Sequence, residues 1–411
     1  MKYENGLTLV LKNDKNSLVA SVVVFVRTGS VDEKPSQAGL SHFLEHLMFK
    51  GSKNYPGDLM SRNVENIGGY INAATVKEYT MYYISIQKDG VEECIKMLAD
   101  TMQNPLFPQD EVDRERKVVI EEIQRYFDNP GNVLYGKFNE TIYTKSALKN
   151  SVIGKSQVIA SVSCREIYDY YKTHYVPGNM VVVVSGNFNE TRVKKLIGET
   201  FGQFIKRPVP PEPLLVEDIH DGKDIVEYEN VEIGYMLTGF LGPDLNGEDI
   251  YVANLAADVL GGGKSSRLYR YLYEEKHLVF SIGSSFMAEK GTGNVYIMSV
   301  FNPQNMKKIK DEIKNQIQNI TDNGITQEEL NRAKLSLKTS FNFSLETSID
   351  IAENLGYWYL MGNPAFAAEY MRKLDKMTAG DVNNFFKKYY LSKIVSNVAL
   401  LPKSVVSGIN E

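Results

Sequence analysis

The pentapeptide His42-Phe43-Leu44-Glu45-His46 carries two imidazoles and a carboxylate at spacings that a helix would bring onto one stripe. At about 100° per residue, His42, Glu45 and His46 fall within about one quadrant of such a helix. Leu40, Phe43, Leu44, Leu47 and Met48 recur at i, i+3, i+4, i+7 and i+8 and point the other way. The pattern predicts a helix anchored by one face and presenting chemistry on the other. Imidazoles four residues apart can share one Zn2+, and a glutamate between them can reach a water on that metal. An isolated His-x-x-x-His pair is more often a surface pair or a helix-cap contact. Here two of only five histidines in the chain stand in this arrangement with a glutamate between them.

Hydrolytic zinc needs a third protein ligand and an open fourth position. The segment Gln109 to Tyr126 reads as a helix in which Glu115 and Glu122 lie seven residues apart and share a face, while Glu121 is turned roughly 100° away. Glu122 is the expected third ligand, with His42 and His46. Glu115, about two turns back, is placed to orient the site or balance its charge. Glu45, not needed as a ligand, is the expected general base.

Other elements must hold these groups in place. Tyr70 to Thr75 followed by Tyr79 to Ile86 reads as a β-hairpin near the metal, where the small Ala73 and Ala74 leave room for an extended substrate. An ordinary core hairpin is the other reading. Lys206 to Pro213 is the densest proline cluster and reads as an extended linker. It divides a chain that repeats itself: Gln109-x-Glu111-x-Asp113-Arg114 is echoed 218 residues later by Gln327-x-Glu329-x-Asn331-Arg332. The passage from Tyr175 into Val181 to Val184 is echoed by Phe385 to Tyr390 and Val395 to Leu401. Each half opens with a strand ending at glycine, Val22 to Gly29 and Glu232 to Gly239. Two copies of one α/β unit follow. The same offset carries Glu115 and Glu122 onto Ala333 and Ser340, and the histidine helix onto Leu260-Gly261-Gly262-Gly263-Lys264. Only the first half can hold zinc. A phosphate-loop reading of Gly263-Lys264-Ser265 fails because Asp258 stands where the leading glycine is needed. The glycines instead allow a peptide backbone or a neighbouring domain to approach closely.

The 411 residues suggest about two domains, and 43% hydrophobic with 24% charged residues is ordinary for a globular chain. A net charge of −5 and the lack of a basic run on an aromatic platform give no support for nucleic-acid binding. The start shows neither a secretory apolar core nor an Arg-rich transit segment, and no apolar stretch approaches membrane-spanning length. Cys94 and Cys164 are read as reduced, buried thiols, and the location as cytoplasmic.

His42-x-x-Glu45-His46 inverts the order of the HExxH zinc-protease helix. Together with the glutamates of the later helix, it resembles the M16 metallopeptidases, which include the mitochondrial processing peptidase, pitrilysin and insulin-degrading enzyme. The likeness extends through Gly39-Leu40-Ser41, Gly68-Gly69-Tyr70-Ile71-Asn72-Ala73-Ala74-Thr75, Tyr175-x-Pro177-x-Asn179-Met180 and Gly261-Gly262-Gly263-x-Ser265-Ser266-Arg267-Leu268, and so covers most of the chain. It implies an α+β protein of two homologous α/β-roll domains, each a mostly antiparallel sheet packed with helices. Residues 1–207 would be the zinc-binding catalytic domain, 208–213 the linker, and 214–411 the homologous domain without metal ligands. It further implies one Zn2+ per chain and endopeptidase activity on unfolded peptides in a closed chamber. The peptide would be held as an added strand along Asn72, Ala73 and Ala74.

One departure stands out. M16 enzymes usually carry an arginine and a tyrosine seven residues apart in the C-terminal domain, aiding substrate binding and oxyanion stabilisation. Tyr273 and Phe280 occupy those places here, without the cation and without the hydroxyl. The departure favours a heterodimer in which a related subunit supplies the Arg/Tyr pair. A homodimer using Lys276, Tyr273 or Arg270 locally, or a non-hydrolytic peptide-binding or scaffold subunit, are the alternatives.

Overall fold

The computed structural model describes residues 1–213, 215–218, 220–390 and 395–404. Two five-stranded mixed sheets, each packed with helices, make an α+β architecture. The first contains β1 (Thr8–Asn13), β2 (Val19–Val26), β3 (Tyr70–Thr75), β4 (Thr80–Gln87) and β5 (Met180–Gly186) in the order β1-β5-β2-β4-β3. The second contains β6 (Asp224–Glu229), β7 (Gly234–Leu241), β8 (Val279–Met287), β9 (Asn294–Phe301) and β10 (Ser396–Pro402) in the order β6-β10-β7-β9-β8. Replacing each strand of the first by its counterpart generates the second. Even the one parallel pair recurs, β1 with β5 and β6 with β10. The strand expected at Val22 to Gly29 is β2 and ends earlier. Thr28 turns its N–H back onto Val26 O at 2.8 Å, which closes the strand before the glycine. Each half also begins one strand sooner than expected, with β1 and β6.

Central strands covered on both faces read as unbroken apolar runs. Val22 to Val26 of β2 and Val182 to Val184 of β5 are fully buried. The helix that covers β2 and β5 comes from far downstream, Ser348–Leu360. Its Gly356 sits so close to Phe25 that an added Cβ would lie 2.0 Å from the ring, and Ser348 Oγ is 2.8 Å from Ser21 Oγ. Reciprocally, the helix Pro130–Ile142 packs on β7 and β10 of the second sheet. The compact units are accordingly discontinuous. One is 1–125, 150–213 and 342–367, and the other 126–149, 214–341 and 368–411. A single cut at 208–213 does not describe this exchange. Burying the two sheet faces matters more than nearness along the chain.

Cys94 is buried, whereas Cys164, expected to be buried, is partly exposed and donates its thiol to Gln109 Oε1 at 3.0 Å; both are free. Among the described residues, no helix is long and apolar enough to cross a membrane.

Candidate metal centre

The helix Leu40–Met48 follows Gly39, whose φ of +97° and missing side chain leave the first turn without a local cap. A buried carboxylate supplies one from outside. Glu33 accepts from Gly39 N–H and Ser41 N–H, both at 2.7 Å. Burial pushes its pKa up to about 7 even though these two bonds pull it down. Ser41 Oγ lies 2.8 Å from Tyr170 OH, and Leu40, Phe43, Leu44, Leu47 and Met48 are at most 1% exposed. The helix is thus fixed in rotation and along its axis. His42 is 9% exposed, at the flank of the apolar face, while Glu45 and His46 are more open.

The helix Gln109–Phe127 lies alongside and brings two carboxylates. His46 Nε2 is 3.4 Å and His42 Nε2 3.8 Å from Glu122 Oε2. Three ligands at about 2.0–2.1 Å from one tetrahedral ion stand about 3.4 Å apart, so these separations suit a shared zinc. Two imidazole nitrogens and one carboxylate oxygen are also a donor set that zinc takes in hydrolytic sites. Burial, and then the nearby His46, lower the His42 pKa to about 4. The ring therefore stays in its neutral, metal-binding form above that pH. Among the described residues these three form the one cluster that could hold a metal.

Glu115 does not reach the cluster's centre. Its Oε2 is 3.3 Å from His46 Nδ1, and its Oε1 is 2.7 Å from Lys50 Nζ. The 5% exposed Glu115 therefore buttresses His46, and Lys50 offsets its charge. Lys50 escaped the sequence reading; it lies in a bend two residues past the end of the helix. His42 has no such support, since its Nδ1 is buried without a hydrogen-bond partner. Glu115→Gln and Lys50→Met are each expected to weaken zinc binding by about 10- to 100-fold, measured by chelator competition. Unchanged affinity in both would remove the buttress.

Glu45 stays outside the three-ligand cluster. Its carboxylate accepts from Thr75 Oγ1 at 2.5 Å, and burial raises its pKa. Thr75 closes β3, so the hairpin does lie beside the histidine helix. β3 is an edge strand of its sheet, with Asn72 exposed and Ala73 and Ala74 partly so. At present Ala73 N–H donates to Asn72 Oδ1 at 2.9 Å.

In the second unit the corresponding helices, Ile250–Gly261 and Gln327–Phe343, are joined by a different device. Arg332 Nη1 lies 3.1 Å from Asp258 Oδ1, and Ser336 Oγ donates to Asp258 Oδ2 at 2.9 Å. An ion pair thus links two helices whose counterparts in the first unit carry the metal donors, though from other positions along them. The glycine loop serves the unit itself. A Cβ on Gly261 would lie 2.4 Å from Ser284 N, so its absence admits the backbone of β8. Tyr273 stacks on Tyr269 with centroids 4.6 Å apart, and Phe280, on β8, is 58% exposed.

A family profile described as insulinase (peptidase family M16) matches residues 8–156, and one described as the peptidase M16 inactive domain matches 161–337. An uncharacterised zinc protease of Bacillus subtilis is 28% identical over 388 residues, covering 94% of each chain. The mitochondrial-processing peptidase subunit beta of Saccharomyces cerevisiae is 27% identical over 432 residues, covering 100% of this chain and 92% of its own. A protease from Helicobacter pylori of known structure superposes with a TM-score of 0.92 at 26% identity over 98% of both chains. A Pseudomonas fluorescens structure titled as a peptidase M16 inactive domain shares the fold at 17% identity, with a TM-score of 0.90 over 98% of both chains.

Proposed function

This chain belongs to peptidase family M16, and from that premise we propose that it is a zinc-dependent endopeptidase acting on unfolded peptides. The observation that carries the proposal is the convergence of His42, His46 and Glu122 on one tetrahedral-sized space with the Glu45 carboxylate beside it. Bound there, zinc would lower the pKa of a water toward about 7 and polarise the scissile carbonyl. His42 and His46 would hold the metal through Nε2, and Glu122 through Oε2. Glu115 and Lys50 would fix the orientation of the His46 ring. Glu45 would take the proton from the attacking water and deliver it to the leaving nitrogen. Its partial burial favours the protonated form needed for the second transfer.

Peptide would pair along the open edge of β3, with Asn72, Ala73 and Ala74 as contacts. Main-chain bonds would supply much of the affinity and sequence preference would be broad. Pairing at this edge requires Asn72 to release the Ala73 N–H.

The chain would work as the catalytic subunit of a heterodimer. Tyr273 and Phe280 support this, because neither can do the work of the family's Arg/Tyr pair, and the yeast relative bears the name of a subunit. A non-hydrolytic peptide-binding role is the second reading, favoured by the same two residues. Zinc content and turnover of an unstructured peptide, measured on the purified chain alone and then with related subunits, test all of these. Full turnover alone ends the heterodimer reading, and bound peptide without turnover in any combination ends the peptidase reading.

A further inference from the structure

We propose that Thr75 is a positioning residue that ties the aim of the Glu45 carboxylate to the β3 edge, so that the strand receiving peptide also sets the base. The inference rests on the endopeptidase reading. Thr75 is the last residue of β3 and donates its hydroxyl to Glu45 Oε2 at 2.5 Å. Glu45 projects from a helix on a long side chain and feels both His46 and Glu122. Thr75, in contrast, is short, β-branched and stiff about its first torsion.

The surroundings of Thr75 are equally fixed. Its cross-strand partner Thr80 is fully buried, donates to Thr28 O at 2.9 Å and lies 3.5 Å from Thr75 Oγ1. The turn that follows is held by Val76 N–H donating to Tyr79 O at 2.9 Å and by Val31 N–H donating to Lys77 O at 3.0 Å. The Thr80 proton is engaged by Thr28, which leaves the Thr75 hydroxyl proton for Glu45. The carboxylate is therefore referenced to the sheet as well as to its own helix. A peptide registered against Tyr70–Thr75 would be measured from the same frame, since strand pairing fixes each residue's position along the edge.

Thr75→Val keeps the branched shape and removes the donor, and Thr75→Ser restores the donor. Both are made in the full zinc-loaded chain, assayed with its related subunit if the wild type needs one. The expected result for Thr75→Val is unchanged zinc per chain, KM within about twofold and kcat lower by about 10- to 100-fold, with Thr75→Ser close to wild type. A crystal structure of zinc-loaded Thr75→Val should show the Glu45 carboxylate displaced by about 1 Å or more, a readout independent of turnover. An unmoved Glu45, unchanged kcat, or a loss confined to KM would overturn the proposal. Wild-type protein that binds zinc but cleaves no peptide would sink the endopeptidase reading separately, and the position of Glu45 in the Thr75→Val crystal would still decide what Thr75 does.

Discussion

Glu45→Gln is expected to keep its zinc and lose hydrolysis by about 100- to 10,000-fold, the usual worth of a positioned general base. The amide is nearly the same size as the carboxylate and can still accept the Thr75 hydroxyl through its carbonyl oxygen, so the local packing survives. It cannot take a proton from water at neutral pH. Because Glu45 is outside the set formed by His42, His46 and Glu122, metal content should match the wild type. Zinc per chain and peptide turnover, measured on the same preparation, check both halves of the expectation. Undiminished turnover would remove Glu45 from the mechanism, and lost zinc would make it a ligand.

The second large effect runs in the opposite direction. Tyr273→Arg combined with Phe280→Tyr should raise the turnover of the chain by itself by about 100- to 1,000-fold, the span that one oxyanion donor commands. Tyr273 is 38% and Phe280 58% exposed, so neither substitution should empty a core position. Adding a related subunit should then bring a much smaller increment than it brings to the wild type. Steady-state turnover with and without that subunit separates the outcomes. No gain in the double variant would argue that Lys276, Arg270 or Tyr273 already does the work within this chain.

The chemistry was legible wherever it follows helical periodicity. His42, Glu45 and His46 needed only their spacing, and Glu122 was separated from Glu121 by about a quarter turn. Lys50 stands four residues after His46, but the helix ends at Met48 and the Lys50 N–H turns back onto Leu47 O, so helical periodicity does not place it. Nor does it place Glu33, because a cap normally comes from the residue beside the first turn, and this one reaches back from six residues upstream. The bond between Thr75 and Glu45 joins a strand to a helix, and no repeat in either segment announces it. The doubled sheet was visible in the 218-residue echo. Which sheet the helices Pro130–Ile142 and Ser348–Leu360 would cover was not, because an apolar face states that it must be buried and not against what.

That exchange constrains how the polypeptide can mature. As the chain leaves the ribosome, β1 to β5 are complete by residue 186, yet the helix that covers β2 and β5 ends at residue 360. Until then a valine-rich surface has no native cover, and contacts so distant in sequence form slowly. The metal-binding half is therefore not a module that can be excised after its prolines. It draws the cover of its own sheet from the helix Ser348–Leu360, well past those prolines.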